Sequence, residues 1–292
     1  MNGLKRTVIG IFPARLLSLI SRNQWRSPLL RRVCAWGAAS LKQQDGSILR
    51  GVGKGLKFNA GSSHSGFILG NHEAEVQQLL ATVLRPGMVY YDAGANVGFF
   101  AVIAARLVGP SGQVVCFEPL PANARQIEYN AHLNGFSNIV VRPEALGGNN
   151  RLEVFQTSAE PTWGSLATVG KPPDQASGQI SVSVRTLDSL KAAEGLRAPD
   201  IIKMDIEGAE VEALEGAAET LKSSRPLLVI ELHDTNLPVT SFLESLNYDS
   251  AVLGSDIAVN DAHWDANIVS VPQERSDLAR SAAKFTEGLA AR

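Results

Sequence analysis

From Met88 onward, short apolar runs of strand length alternate with amphipathic stretches of helical period. Residues 89–93 form the first run, and Val97, Phe100, Ala101, Ala104 and Val108 then recur at helical spacing. The pair repeats as 114–117 with about 122–133, and a third strand follows at 138–142. The series resumes at 200–204, with a helix over 207–221 packed through Val211, Leu214, Ala218 and Leu221. A strand at 227–230, a helix at 238–246 and a final strand pair at 248–253 and 268–271 complete it. Near-continuous apolar strands separated by helices predict a parallel sheet covered on both faces.

Two stretches depart from this rhythm. Residues 51–72 are glycine-rich, and 56–59 and 67–69 read as two short strands around a polar turn. A helix over 73–84 follows, with Val76, Leu79, Leu80 and Val83 on one face. Later, strands at 152–155 and 180–184 flank a polar segment, 156–179, that contains Pro161, Pro172 and Pro173. An irregular stretch of that length reads as a lid or substrate loop, with Trp163, Gly164 and Ser165 its most specific part. The chain therefore divides into a basic N-terminal extension (1–50), a leading β-hairpin and helix (51–87), the α/β domain (88–272) and a C-terminal tail (273–292).

Charge sharpens the division. Eight of the 27 basic residues, and no acid, lie in residues 1–44, leaving 19 basic against 29 acidic residues elsewhere. The extension reads either as a basic helix packed on the domain or solvated, or as a segment in weak contact with a membrane surface. Its apolar runs are too short and broken to span a bilayer. The net charge of −2 argues against nucleic acid as a partner. The two cysteines, Cys34 and Cys116, make neither a disulfide framework nor a zinc cluster, as in a cytoplasmic protein.

In an open parallel sheet, ligands bind beyond the carboxyl ends of the strands. That edge carries Asp92, Glu118, Glu144, Asp205, and Glu231 with His233. After the first strand comes a turn holding Asp92, Gly94, Asn96, Gly98 and Phe99. Its glycines let a ligand approach the main chain, and the helix after it points free N–H groups over the turn. Glu118 lies 26 residues after Asp92, where an acid can accept both hydroxyls of a ribose. No Gly-Lys-Ser/Thr triplet cradles a triphosphate, and Asn96 stands where a pyrophosphate site wants glycine. Asp92 would repel a pyrophosphate but suits an ammonium group. A nucleoside with an amino acid moiety fits better, which is S-adenosylmethionine.

The blocks Asp92 to Phe100, Phe117-Glu118-Pro119, Glu144-Ala145-Leu146-Gly147, Thr186-Leu187-Asp188 and Ile202 to Glu210 occur in that order. Together they resemble the FkbM family of S-adenosylmethionine-dependent methyltransferases, over roughly residues 50–272. The resemblance implies the Rossmann-like class I methyltransferase fold, a seven-stranded sheet in which only the last strand is antiparallel. It also implies methyl transfer, usually to a hydroxyl of a natural product, sugar or glycan. Cofactor contacts are expected from Asp92, Gly94, Asn96, Gly98, Phe99, Glu118, Glu144, Ala145 and Asp205.

Because a sulfonium methyl is already activated, the protein must mainly align it with an acceptor oxygen and take up a proton. His233 is the candidate base, since it follows a core strand and titrates in the useful range. A histidine that merely hydrogen-bonds at a strand end is the competing reading. Asp205 is expected to face the transferred methyl, with Glu231 beside it. Glu207 reads either as part of the site or as an acid at a helix N-terminus. Asp205, Glu231 and His233 are also a donor set for a divalent ion, but no metal is expected. His64, His72, His132 and His263 read as structural or surface residues. Two other functions stay open: a nicotinamide-dependent oxidoreductase, and a non-catalytic protein on the same fold.

Overall fold

The computed structural model describes residues 44–63, 66–158, 164–168 and 176–286. Nearly all of the basic extension, Trp163 and the end of the tail lie outside them. The chain opens with β1 (Gly46–Ser47), which pairs antiparallel with β2 (Lys57–Phe58), then α1 (Gly66–Leu69) and α2 (Ala74–Val83). The strand expected at 67–69 is thus a helical turn, and the hairpin takes its first strand from within the expected extension. The reason is packing. Gly66, Phe67 and Ile68 are all buried in this turn. The Phe67 ring stacks on Phe99 at 5.0 Å between centroids and meets Phe58 edge-on at 6.1 Å.

The α/β series follows: β3 (Val89–Ala93), α3 (Phe99–Val108), β4 (Gln113–Phe117), α4 (Pro121–Leu133) and β5 (Ile139–Arg142). An excursion of β6 (Glu144–Leu146), β7 (Arg151–Ser158), β8 (Gly164–Leu166) and β9 (Ala176–Arg185) leads to α5 (Leu187–Glu194). Then come β10 (Ile201–Met204), α6 (Glu210–Glu215), α7 (Ala218–Ser224), β11 (Leu227–Glu231) and α8 (Asn236–Ser245). The last elements are β12 (Tyr248–Val252), β13 (Asn267–Pro272) and α9 (Ser276–Ala282). The main sheet has seven strands in the order β12-β13-β11-β10-β3-β4-β5, and β13 is antiparallel to both its neighbours. This is the Rossmann-like class I methyltransferase architecture, with apolar clusters filling both faces of the sheet.

Two expected elements differ. The single helix over 207–221 is broken at Gly216 into α6 and α7. A Cβ at Gly216 would lie 2.1 Å from the Gly147 carbonyl oxygen, so the excursion passes too close for a side chain. Asp188 then caps α7 from outside, its carboxylate accepting from Glu219 N at 2.9 Å and Thr220 N at 2.8 Å. Within the expected loop over 156–179, the described residues are mostly strand. β7, β8 and β9 form a second sheet with β6 in the order β6-β9-β7-β8. Phe155, Leu166, Val182 and Val184 pack there against Leu120, Ala145 and Ala209. Among the described residues no helix is long and apolar enough to cross a membrane.

Candidate functional site

Strand register gathers the site. Lys203 in β10 is level with Asp92 in β3 on one side and Val229 in β11 on the other. Side chains alternate with period two, so Asp92, Lys203 and Val229 share a face, and Asp205 and Glu231 continue it. His233 lies two residues further on. Sequence positions far apart thus converge at the carboxyl edge of three adjacent strands.

The turn after β3 is built for close approach. Gly94, Asn96 and Gly98 all have positive φ, at 78°, 51° and 84°. A Cβ at Gly94 would sit 1.8 Å from the Asp205 carbonyl oxygen. Glu118, 4% exposed, braces the turn by accepting from Asn96 N at 2.8 Å and Leu120 N at 2.9 Å. Burial pushes its carboxyl up to about 8, against the pull of those two N–H groups. Asp92, 1% exposed, is pushed up to about 7 by burial, which outweighs nearby Lys203. Its Oδ2 is buried without a hydrogen-bond partner.

Two cavities meet at this turn and share Gly94, Asn96, Asp205 and Glu207. One holds Glu118 with apolar walls from Leu120, Leu146, Phe155 and Leu166. The other, of about 230 Å³, holds Asp92, Phe99, Lys203, Phe67 and His72. S-adenosylmethionine fits this pair. Glu118 would hold the ribose hydroxyls, the apolar walls the adenine, and the unpartnered Asp92 oxygen the ammonium.

Beyond the second cavity is a charged cluster. Lys203, 2% exposed, sets Nζ 3.3 Å from Asp205 Oδ2, 3.9 Å from Glu73 Oε2 and 4.9 Å above the Phe100 ring. Burial alone would lower the Lys203 pKa, but Glu73, Asp205 and Asp92 outweigh it and raise it. His233, 8% exposed, sets Nδ1 2.8 Å from Glu210 Oε1, and Nε2 3.5 Å from Glu207 Oε2 and 3.8 Å from Asp205 Oδ1. Burial opposes charge on the imidazole, yet Glu210, Asp205 and Glu207 lift it to about 9. Burial, then Asp205, pushes Glu207 up to about 7 and Glu231 further. Donor atoms of Asp205, Glu231 and His233 lie within 4.8 Å of one another, near enough for a divalent ion. The positive charge already beside Asp205 is the Lys203 ammonium.

Most residues singled out from the sequence meet at these cavities. Asp92, Gly94, Asn96, Phe99, Glu118, Ala145 and Asp205 line one or both. Glu144 does not. It begins β6 pointing away from Ala145 and toward Arg142, whose Nε is 3.6 Å distant. Gly98 lines neither cavity, because the space for its Cβ faces Ile127 of α4 at 3.2 Å. His72, expected to be structural or superficial, lines the second cavity and sets Nε2 2.6 Å from Glu73 Oε1. Lys203, Glu210 and the Phe155–Leu166 wall were not singled out. A lysine inside the apolar run Ile201 to Met204 was a usable signal, since an unpaired charge is rarely buried.

Three distant curated relatives are named as methyltransferases. The 2-O-methyltransferase NoeI of Sinorhizobium fredii is 27% identical over 186 residues, 58% of this chain and 75% of that protein. The hexuronic acid methyltransferase AglP of Haloferax volcanii is 25% identical over 161 residues, 55% of this chain and 62% of that protein. The 31-O-demethyl-FK506 methyltransferase FkbM of Streptomyces tacrolimicus is 28% identical over 182 residues, 52% of this chain and 68% of that protein. The family profile described as the methyltransferase FkbM domain matches residues 92–250, from the Asp92 turn through β11 and into β12. Spanning more than half of the sequence and every strand that shapes the two cavities, that match shows that the chain belongs to the FkbM methyltransferase family, whose cofactor is S-adenosylmethionine.

Proposed function

We infer that the chain methylates a hydroxyl oxygen on a sugar, glycan or other polyhydroxylated natural product. The observation that carries this reading is the cluster of Asp205, Glu231 and His233, whose member Asp205 lines both cavities while Glu231 and His233 lie outside them. Acidic acceptors and an imidazole there suit a ligand that presents hydroxyl donors. The names of the 2-O-methyltransferase NoeI and the 31-O-demethyl-FK506 methyltransferase FkbM, both O-directed, agree with it.

Bound S-adenosylmethionine supplies an electrophilic methyl carbon on a positively charged sulfur. Asp92 and the Gly94–Asn96 turn hold the amino acid end, and Glu118 holds the ribose. Lys203 holds Asp205 in place, because its ammonium is buried 3.3 Å from that carboxylate. Asp205 and Glu231 orient the acceptor hydroxyl, and His233 Nε2 takes its proton. In the free site the imidazole is charged at neutral pH, so a reaction using it as proton acceptor speeds up as pH rises toward about 9.

The test is transfer of labelled methyl from S-adenosylmethionine to a panel of methyl glycosides, including uronosides. Mass spectrometry and NMR then place the label. A methyl ether on the sugar is the expected product. Label found only on nitrogen or carbon acceptors would overturn the O-directed reading.

A further inference from the structure

The sequence motif Asp205 to Glu210 ends in a carboxylate with no part in the mechanism above. Glu210 opens α6 and is fully buried, at 0% exposure. A helix N-terminus favours an acid but does not require it to be buried. Each of its oxygens has a defined partner. Oε1 lies 2.8 Å from His233 Nδ1 and accepts from Gly208 N at 3.0 Å. Oε2 accepts from Thr235 Oγ1 at 3.1 Å. Glu210 is therefore held from both sides of the imidazole, by the turn before α6 and by the residue after Asp234.

The consequence falls on His233. An acceptor-only carboxylate at Nδ1 requires a proton there, which leaves Nε2 as the free lone pair of the neutral ring. Nε2 is the nitrogen that faces Asp205 and Glu207. We propose that Glu210 is a positioning residue for the methyl-transfer reaction, fixing the His233 tautomer and stabilising the imidazolium that forms. This rests on the reading of His233 as proton acceptor. In that step the acceptor O–H bond breaks and its proton goes to Nε2. The oxygen forms a bond to the methyl carbon, and the carbon–sulfur pair stays on sulfur. Among the described residues, the groups facing the ring are Glu210, Asp205, Glu207, Glu231 and Trp264, so Glu210 is one of four carboxylates but the only one of them at Nδ1.

Glu210→Gln separates charge from shape. Its amide oxygen can still accept from Nδ1–H and Gly208 N, while its amide nitrogen can donate to Thr235. Long-range proton–nitrogen NMR of the full chain with S-adenosylhomocysteine reads the ring directly, with His233→Gln assigning the signal. The expected result is a pyrrole-type Nδ1 in the neutral wild-type ring and in Glu210→Gln, and loss of that preference in Glu210→Ala. On the methyl glycoside that is turned over, Glu210→Gln should lower kcat tenfold or more with KM within twofold. Its pH–rate rise should move to lower pH, and Glu210→Asp should recover part of kcat. A neutral wild-type ring protonated at Nε2, or wild-type kcat in Glu210→Gln, overturns the proposal. Failure to bind S-adenosylhomocysteine would count against the methyltransferase reading instead, because the NMR signal exists in the free chain.

Discussion

Replacing Glu118 with alanine tests the assignment of the ribose end. In the free protein the carboxyl is buried, accepts two backbone N–H groups and is pushed up to about 8, so it is mostly protonated at neutral pH. Ribose hydroxyls donating to it favour the ionised form. Two charge-assisted hydrogen bonds are worth about 1.5–3 kcal/mol each. Ionising the carboxyl one unit below its pKa costs about 1.4 kcal/mol. The remainder, roughly 1.6–4.6 kcal/mol, corresponds to about fifteenfold to two-thousandfold weaker S-adenosylhomocysteine in Glu118→Ala. The sign of the pH effect follows. Binding expels a proton, so wild-type affinity rises with pH up to about 8 and then levels, while the variant shows no such slope. The variant also strips the acceptor from Asn96 N and Leu120 N, so its melting curve must first show a folded chain. Calorimetry reads the affinity. A folded Glu118→Ala with wild-type affinity, or a flat wild-type pH dependence, refutes the reasoning.

Gly94→Ala is expected to cost on the order of 2–4 kcal/mol and abolish cofactor binding, since its Cβ would sit 1.8 Å from the Asp205 carbonyl at a φ of +78°. Denaturant unfolding and calorimetry check both effects. Lys203→Met removes the buried ammonium from beside the partly buried Glu73 and Asp205, a loss of up to about 3–5 kcal/mol by analogy with broken buried pairs. Glu73 is held down to about 2 by Lys203 and His72 despite burial, so its contribution is complete above the ordinary 4.5 and lost toward 2. The stability gap between wild type and Lys203→Met therefore narrows as unfolding is measured below that ordinary value. Excess EDTA should leave methyl transfer unchanged, because Lys203 already supplies the cation at Asp205. A loss restored by magnesium would place an ion there.

The sheet was legible because most of its strands are apolar runs next to helical stretches, and β3 begins and ends where the pattern says. The first-turn motif and Glu118 were legible for the same reason, since both follow strand ends. The second sheet was legible only in part: the strands expected at 152–155 and 180–184 fall within β7 and β9, but β8 had no counterpart. β8 has three residues, and the polar, proline-containing segment around it looks irregular until its partners β7 and β9 are known. That excursion supplies Phe155 and Leu166 to the cofactor wall, and no local signal marks either for that role. Phe67 misled in another way. Its apolar run permits strand or helix, and only the stacking on Phe99, 32 residues away, decides. Glu210 was hidden because an acid at a helix start has an ordinary explanation, and its contact with His233 spans 23 residues.

The most direct test of the central claim is calorimetric titration of the full chain with S-adenosylhomocysteine and, separately, with an oxidised nicotinamide dinucleotide. One-to-one binding of S-adenosylhomocysteine, undisturbed by the dinucleotide, is expected from the lone Asp92 carboxylate and the Glu118 brace. Binding of the dinucleotide alone, or of neither ligand by a folded chain, would contradict it.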